Sequence, residues 1–99
     1  QSFTLGNWTV KLGSEKTFIA EWEAFARWTF KNQPGAATAF LLQDPEHPQQ
    51  LISFGSWGNA ELIKAWRERP EFKAFTSRAK ELCEGFKTHS LRLVAASEE

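Results

Sequence analysis

Two histidines, one cysteine and a few amides and hydroxyls in apolar settings make up the reactive chemistry of these 99 residues. His89 falls near the start of the last predicted strand. A neutral imidazole there could take a proton from a phenol or quinol near pH 7; its alternative is a solvated strand-end residue. Asn7 lies among apolar neighbours, where an amide must either bond the backbone or face a pocket. Ser53 and Thr76 offer hydroxyls, which on buried faces commonly bond nearby backbone. Trp66 can wall or stack a flat ligand, or simply fill space between helix and sheet, and Trp57 anchors a strand end. Phe72 continues the apolar stripe beyond them. His89 and Asn7 are therefore the candidate catalytic residues, and Trp66, Ser53, Trp57, Phe72 and Thr76 the candidate substrate-binding residues.

Other chemistries find less support. Neither Ser53 nor Thr76 has a His or acidic partner in sequence, so a nucleophilic triad is not indicated. Asp44, Glu46 and His47 sit together in a loop, but adjacent loop residues do not by themselves make a metal site, and no metal is expected. Cys83 falls on an apolar helical stripe with no cation or helix N-terminus beside it, which reads as a core residue. As the sole cysteine it can form no internal disulfide, which fits a reducing compartment, the cytoplasm. Twelve basic and twelve acidic residues without a like-charge run give nothing to attract a nucleic-acid backbone or an anionic membrane. No apolar stretch approaches the ~20 residues needed to span a bilayer, and no signal-peptide pattern is visible.

Five tryptophans and nine phenylalanines, with no tyrosine or methionine, must be held by a small set of elements. Phe3 to Leu12 reads as a strand, with Phe3, Leu5, Asn7 and Thr9 on one face and Trp8, Val10 and Leu12 on the other. Ser14 is placed to cap a helix running to about Lys31, whose stripe is Phe18, Trp22, Phe25 and Thr29. After Pro34-Gly35, strands over Ala36–Gln43 and Gln50–Trp57 flank a loop at residues 44–48. Asn59 starts a helix that Pro70 interrupts and restarts, and Gly85 is placed as its C-terminal cap. Lys87 to Ala95 is a last strand. The order β-α-β-β-α-β is the ferredoxin-like α+β pattern, a four-stranded antiparallel sheet with helices on one face. It forms one domain over residues 1–99 with an ordered core over about 3–95. The other sheet face would be bare, and Trp8 and Val10 are expected to make it apolar. A homodimer packed sheet on sheet is the closed solution, which a charge at Val10 would disrupt.

Four segments carry a family resemblance: Val-Lys-Leu-Gly-Ser from Val10, Gln-Pro-Gly-Ala-Ala from Gln33, Phe-Gly-Ser-Trp-Gly-Asn-Ala-Glu-Leu-Ile-Lys-Ala-Trp from Phe54, and Arg-Pro-Glu-Phe-Lys-Ala-Phe from Arg69. With these, the chain resembles the antibiotic biosynthesis monooxygenase family of dimeric α+β barrels from roughly Phe3 to Val94. The resemblance implies a pocket between sheet and helices in each subunit. It also implies a cofactor-independent monooxygenase acting on a small aromatic, quinol or anthrone-like substrate with molecular oxygen. The alternatives are a non-catalytic ligand-binding or regulatory module on the same fold, and a haem-binding or haem-degrading member. The haem-degrading pattern is matched at Asn7 and Trp66, but Thr76 stands where it has a His. The anthrone-oxidising pattern is matched at Trp57, with Ser53 in place of an Asn and Ile63 in place of a Tyr.

Overall fold

In the computed structural model, which describes residues 1–98, strand periodicity and helix breaks set the layout. Helix α1 (Glu15–Asn32) turns an amphipathic face inward, burying Phe18 and Thr29. Its start is held by Glu15, whose carboxylate accepts the Gly13 N–H at 2.8 Å; Ser14 makes no side-chain cap bond. The chain then reverses through Pro34-Gly35. Gly35 has φ of 90°, a left-handed conformation that favours glycine, and its carbonyl accepts the Gly58 N–H. This bond ties the start of β2 (Ala36–Asp44) to the end of β3 (His47–Trp57).

Strands β2 and β3 meet in a tighter hairpin than the sequence suggests. Asp44 pairs with His47, leaving only Pro45-Glu46 as the turn. Asp44 closes it by accepting the Glu46 N–H and holding His47 Nδ1 at 3.1 Å. Helix α2 (Ala60–Arg67) is capped by Asn59, whose side chain accepts the Leu62 N–H, as its sequence predicts. Pro70 opens α3 (Pro70–Leu82) at a position where its missing N–H costs nothing.

The end of α3 corrects the sequence reading. Gly85 is no cap: the helix stops at Leu82, Cys83 is already extended, and β4 spans Cys83–Arg92. Pairing with β1 (Ser2–Val10) starts at once, Val10 opposite Cys83 and Thr9 opposite Gly85, across an irregularity in register. The gain of ladder hydrogen bonds outweighs the local signal of a glycine.

The four strands form one antiparallel sheet in the order β2-β3-β1-β4, with all helices on one face. The face assignment is the larger correction. Trp8 and Val10, at 4% and 0% exposure, lie under the helices with Phe18, Leu51, Phe75, Ala79 and Leu82. Trp8 packs against the rings of Phe18, Phe75 and Phe86 at centroid separations of 5.2, 5.8 and 4.9 Å. Both strand faces are apolar, so alternation alone does not choose; the bulkier, tighter-packing pair takes the covered side. Phe3, Leu5 and Asn7 therefore face outward, with Phe40, Leu42, Ile52 and Leu91, which are 43–53% exposed. The bare face is apolar as expected, through the opposite residues.

Candidate functional site

Between the helix-side face of β1 and β3 and the inner faces of the helices lies a cavity of about 70 Å³. Its floor is built by residues with almost no side chain. Gly6 of β1 stands opposite Ser53 of β3, and Thr4 opposite Gly55. A Cβ at Gly6 would come within 2.7–2.8 Å of the Trp8 indole and Ser53 Oγ. Only a glycine lets the indole lie back along its own strand, where Trp8 Nε1 donates to Ser53 Oγ at 2.9 Å. The bond serves the polar edge of a side chain whose remainder is core.

The walls are aromatic. Trp66, on α2, donates from Nε1 to the buried Thr29 Oγ1 at 3.0 Å, which fixes the indole plane. Trp57 packs on Trp66 at 5.0 Å, Phe72 meets it edge-on at 4.7 Å, and Phe25 stacks on it at 5.6 Å. Phe25 also stacks on Phe75 at 4.6 Å and 6°. The aromatic cluster is thus continuous from α1 to α3, and side chains fill most of the space around the small cavity. An apolar void that holds benzene measures ~150 Å³, so a flat polycyclic ligand needs wall side chains to move. Phe30 lines the cavity while 45% exposed, and is the wall residue with most freedom to swing outward.

Five of the seven residues singled out from sequence border this cavity: Trp66, Ser53, Trp57, Phe72 and Thr76. Thr76 spends its hydroxyl on the Lys73 carbonyl at 3.0 Å. The other two lie elsewhere. Asn7 is exposed on the open sheet face between Ile52 and Lys87, one strand position out of phase with Trp8. His89 is exposed and stands opposite Leu5 on that same face. Strand parity excludes both from the helix side, so neither delivers its side chain to the cavity as expected of a catalytic pair. Ile63, where the anthrone pattern has a Tyr, is a core residue at 2% exposure. The residues present do not fit a haem: the Asn faces away and the axial position is a backbone-bonded Thr.

Two features were not found from sequence. One is the floor, Gly6 and Gly55 with Trp8; a glycine inside each central strand was the available signal. The other is Arg67. It reads in sequence as part of a solvated, paired charged face with Arg69, Lys73 and Arg78. Arg69 and Arg78 do pair, with Glu71 and with Glu81 and Glu21. Arg67 instead turns inward and borders the cavity, with Nη2 donating to the His89 carbonyl at 3.2 Å. Its position four residues after the buried Ile63, on one helical face, was the overlooked signal. Burial pulls its pKa below the ordinary guanidinium range, and the group remains cationic at neutral pH.

A family model described as antibiotic biosynthesis monooxygenase matches residues 3–78. The chain belongs to this family. Solved structures of the same fold include SnoaB, a cofactor-independent oxygenase from Streptomyces nogalater, at 16% identity and a TM-score of 0.88 over 99% of this chain and 97% of that one. A conserved protein from Methanosarcina mazei Go1 is 15% identical with a TM-score of 0.83, over 92% and 90% of the two chains. Rv0793 from Mycobacterium tuberculosis is 12% identical, with a TM-score of 0.83 over 98% of each. At such identities the likeness speaks for the fold. No curated protein sequence matches the chain. Among the described residues, no helix of this family member is long and apolar enough to cross a membrane.

Proposed function

We propose that this protein is a cofactor-independent monooxygenase that oxidises a small planar aromatic substrate, a quinol or anthrone-like molecule, with molecular oxygen. The observation that carries the reading is the cavity itself: an aromatic-walled space over a glycine floor, with a few fixed polar groups, in a member of a monooxygenase family. Such a site suits chemistry in which the substrate supplies the reducing electrons. Loss of a proton from an activated CH₂ gives a carbanion delocalised into the ring system. Its electrons pass to O₂, a peroxide forms at that carbon, and loss of water leaves a carbonyl: R₂CH₂ + O₂ → R₂C=O + H₂O. The protein's part is to desolvate the ring, hold it flat against Trp66 and exclude bulk water.

The protein acts, in this reading, as a homodimer. The open sheet face exposes the large apolar side chains of Phe40, Leu42, Ile52 and Leu91, the kind of surface that calls for a partner. A second copy packed sheet on sheet covers it with closed symmetry. Asn7 and His89 then belong to the interface.

A second reading, a ligand-binding module without turnover, draws on one observation: no histidine or carboxylate borders the cavity among the described residues. Oxygen-electrode assays with an anthrone and a panel of quinols separate the two. Uptake above the spontaneous rate, lowered in Trp66→Ala, supports the oxygenase. Ligand binding without uptake by the folded protein supports the module.

A further inference from the structure

With no imidazole or carboxylate on the cavity, the one ionisable side chain that borders it among the described residues is Arg67. Three facts about this cation belong together. It takes part in none of the ion pairs among the described residues. Its Nε is buried and has no hydrogen-bond partner, while Nη2 is held on the His89 carbonyl. It is half-buried and lines a cavity whose other walls are mostly aromatic, among them Trp66 and Phe72. Its place in the last turn of α2, where the helix dipole favours positive charge, helps the fold tolerate it there.

A buried N–H without an acceptor is costly, and so is a half-desolvated cation without a counterion. An anionic oxygen held by the guanidinium supplies the missing counterion, and a shift of the side chain that uncovers Nε on binding relieves that N–H as well. We propose that Arg67 is the anion-recognition group of the cavity, and that the substrate is an acidic aromatic enol or phenol bound as its anion, with the ionised oxygen accepting from the Arg67 guanidinium. The inference rests on the cavity being the substrate site, as proposed above. It supplies what that reading lacks. A cation at the ring oxygen lowers the substrate's own pKa, so the carbanion-enolate forms without a general base on the protein. It also orients the ring, since the oxygen end must face α2 and β4 while the rest lies between Trp66 and the floor. The guanidinium cannot deprotonate the substrate itself; the proton leaves to solvent.

The test uses two probes of one shape and different charge, 2-naphthoate and 2-naphthamide, titrated against the full chain by tryptophan fluorescence. The wild type should bind the anion about tenfold more tightly or better, the selectivity expected of one charge-assisted contact. Arg67→Met should lose that preference while keeping its affinity for the amide, and Arg67→Lys should keep part of it. A second readout needs no variant: 4-nitro-1-naphthol, whose ionisation is visible in absorbance, should show a pKa lowered by about one unit when bound, equivalent to the same tenfold preference. Equal affinity for both probes with an unshifted naphthol, or a preference that survives Arg67→Met, overturns the inference and leaves the oxygenase reading standing. Binding of neither probe to the folded protein overturns both. Anion preference without oxygen uptake upholds the role of Arg67 in binding and removes the oxygenase reading alone.

Discussion

Adding one methyl group at Gly6 tests whether the cavity floor is built as described. In Gly6→Ala the new Cβ would lie 2.7 Å from Trp8 Nε1 and 2.8 Å from both Trp8 Cε2 and Ser53 Oγ, closer than such atoms can sit. The indole must shift, but it is wedged against Phe18, Phe75 and Phe86. Overpacking of a filled core costs ~1–3 kcal/mol. Loss of the Trp8–Ser53 hydrogen bond adds ~0.5–1.5 kcal/mol. Against these, replacing glycine by alanine stiffens the unfolded chain and returns ~0.4–1 kcal/mol. The net expectation is a destabilisation of about 2 kcal/mol, a fall in Tm of about 10 °C for a domain of this size. Circular-dichroism melts and urea titrations measure it. The cause is isolated by repeating the substitution in a Trp8→Phe background, where the smaller ring leaves room and most of the cost should vanish. A neutral or stabilising Gly6→Ala, or an equal cost in both backgrounds, would refute the account of the floor.

Trp66→Phe removes the donor to Thr29 and part of a packed ring and should cost about 1–2 kcal/mol, whereas Trp66→Ala opens a larger hole in the aromatic wall and should cost about 3 kcal/mol or more; urea midpoints distinguish the two. Ile52→Lys, on the open face at 43% exposure, should yield a folded monomer by light scattering, while Val10→Lys, fully buried, should fail to fold. A dimeric Ile52→Lys protein would remove the open face as the interface. Burial raises the pKa of the Cys83 thiol above its ordinary 9.0, with Lys11 opposing the shift. The folded state therefore disfavours the thiolate: stability is intact below that value and declines as the pH rises through it. Between about pH 7.5 and about pH 10 the wild type should lose more stability to urea than Cys83→Ala does.

The periodic signals were legible because one force dominated each. The α1 stripe, the Asn59 cap and the Pro70 break all lie where the sequence puts them, since helix amphipathicity, capping and the missing proline N–H act locally. The faces of β1 were not legible. Alternation tells which residues travel together, and here both sets are apolar; the choice depends on how Trp8 packs against Phe18, Phe75 and Phe86, which are distant in sequence. That single ambiguity carried Asn7 and Val10 to the wrong sides. It also hid the role of Gly6, because a glycine beside a tryptophan gains meaning only once both face the helices. Gly85 misled in the opposite sense: a local helix stop was overridden by pairing with β1. Arg67 was lost in a crowd of charges whose other arginines do pair on the surface.

The proposed reaction transfers an oxygen atom from O₂ to a ring carbon of an aromatic substrate held in the cavity. Its most direct test is a turnover of an anthrone under ¹⁸O₂ in ordinary water, with the product analysed by mass spectrometry and a no-enzyme control run alongside. Enzyme-dependent product carrying one ¹⁸O is expected, at a rate lowered in Trp66→Ala. Product formed no faster than in the control, or formed by the enzyme with oxygen drawn from water, would contradict it.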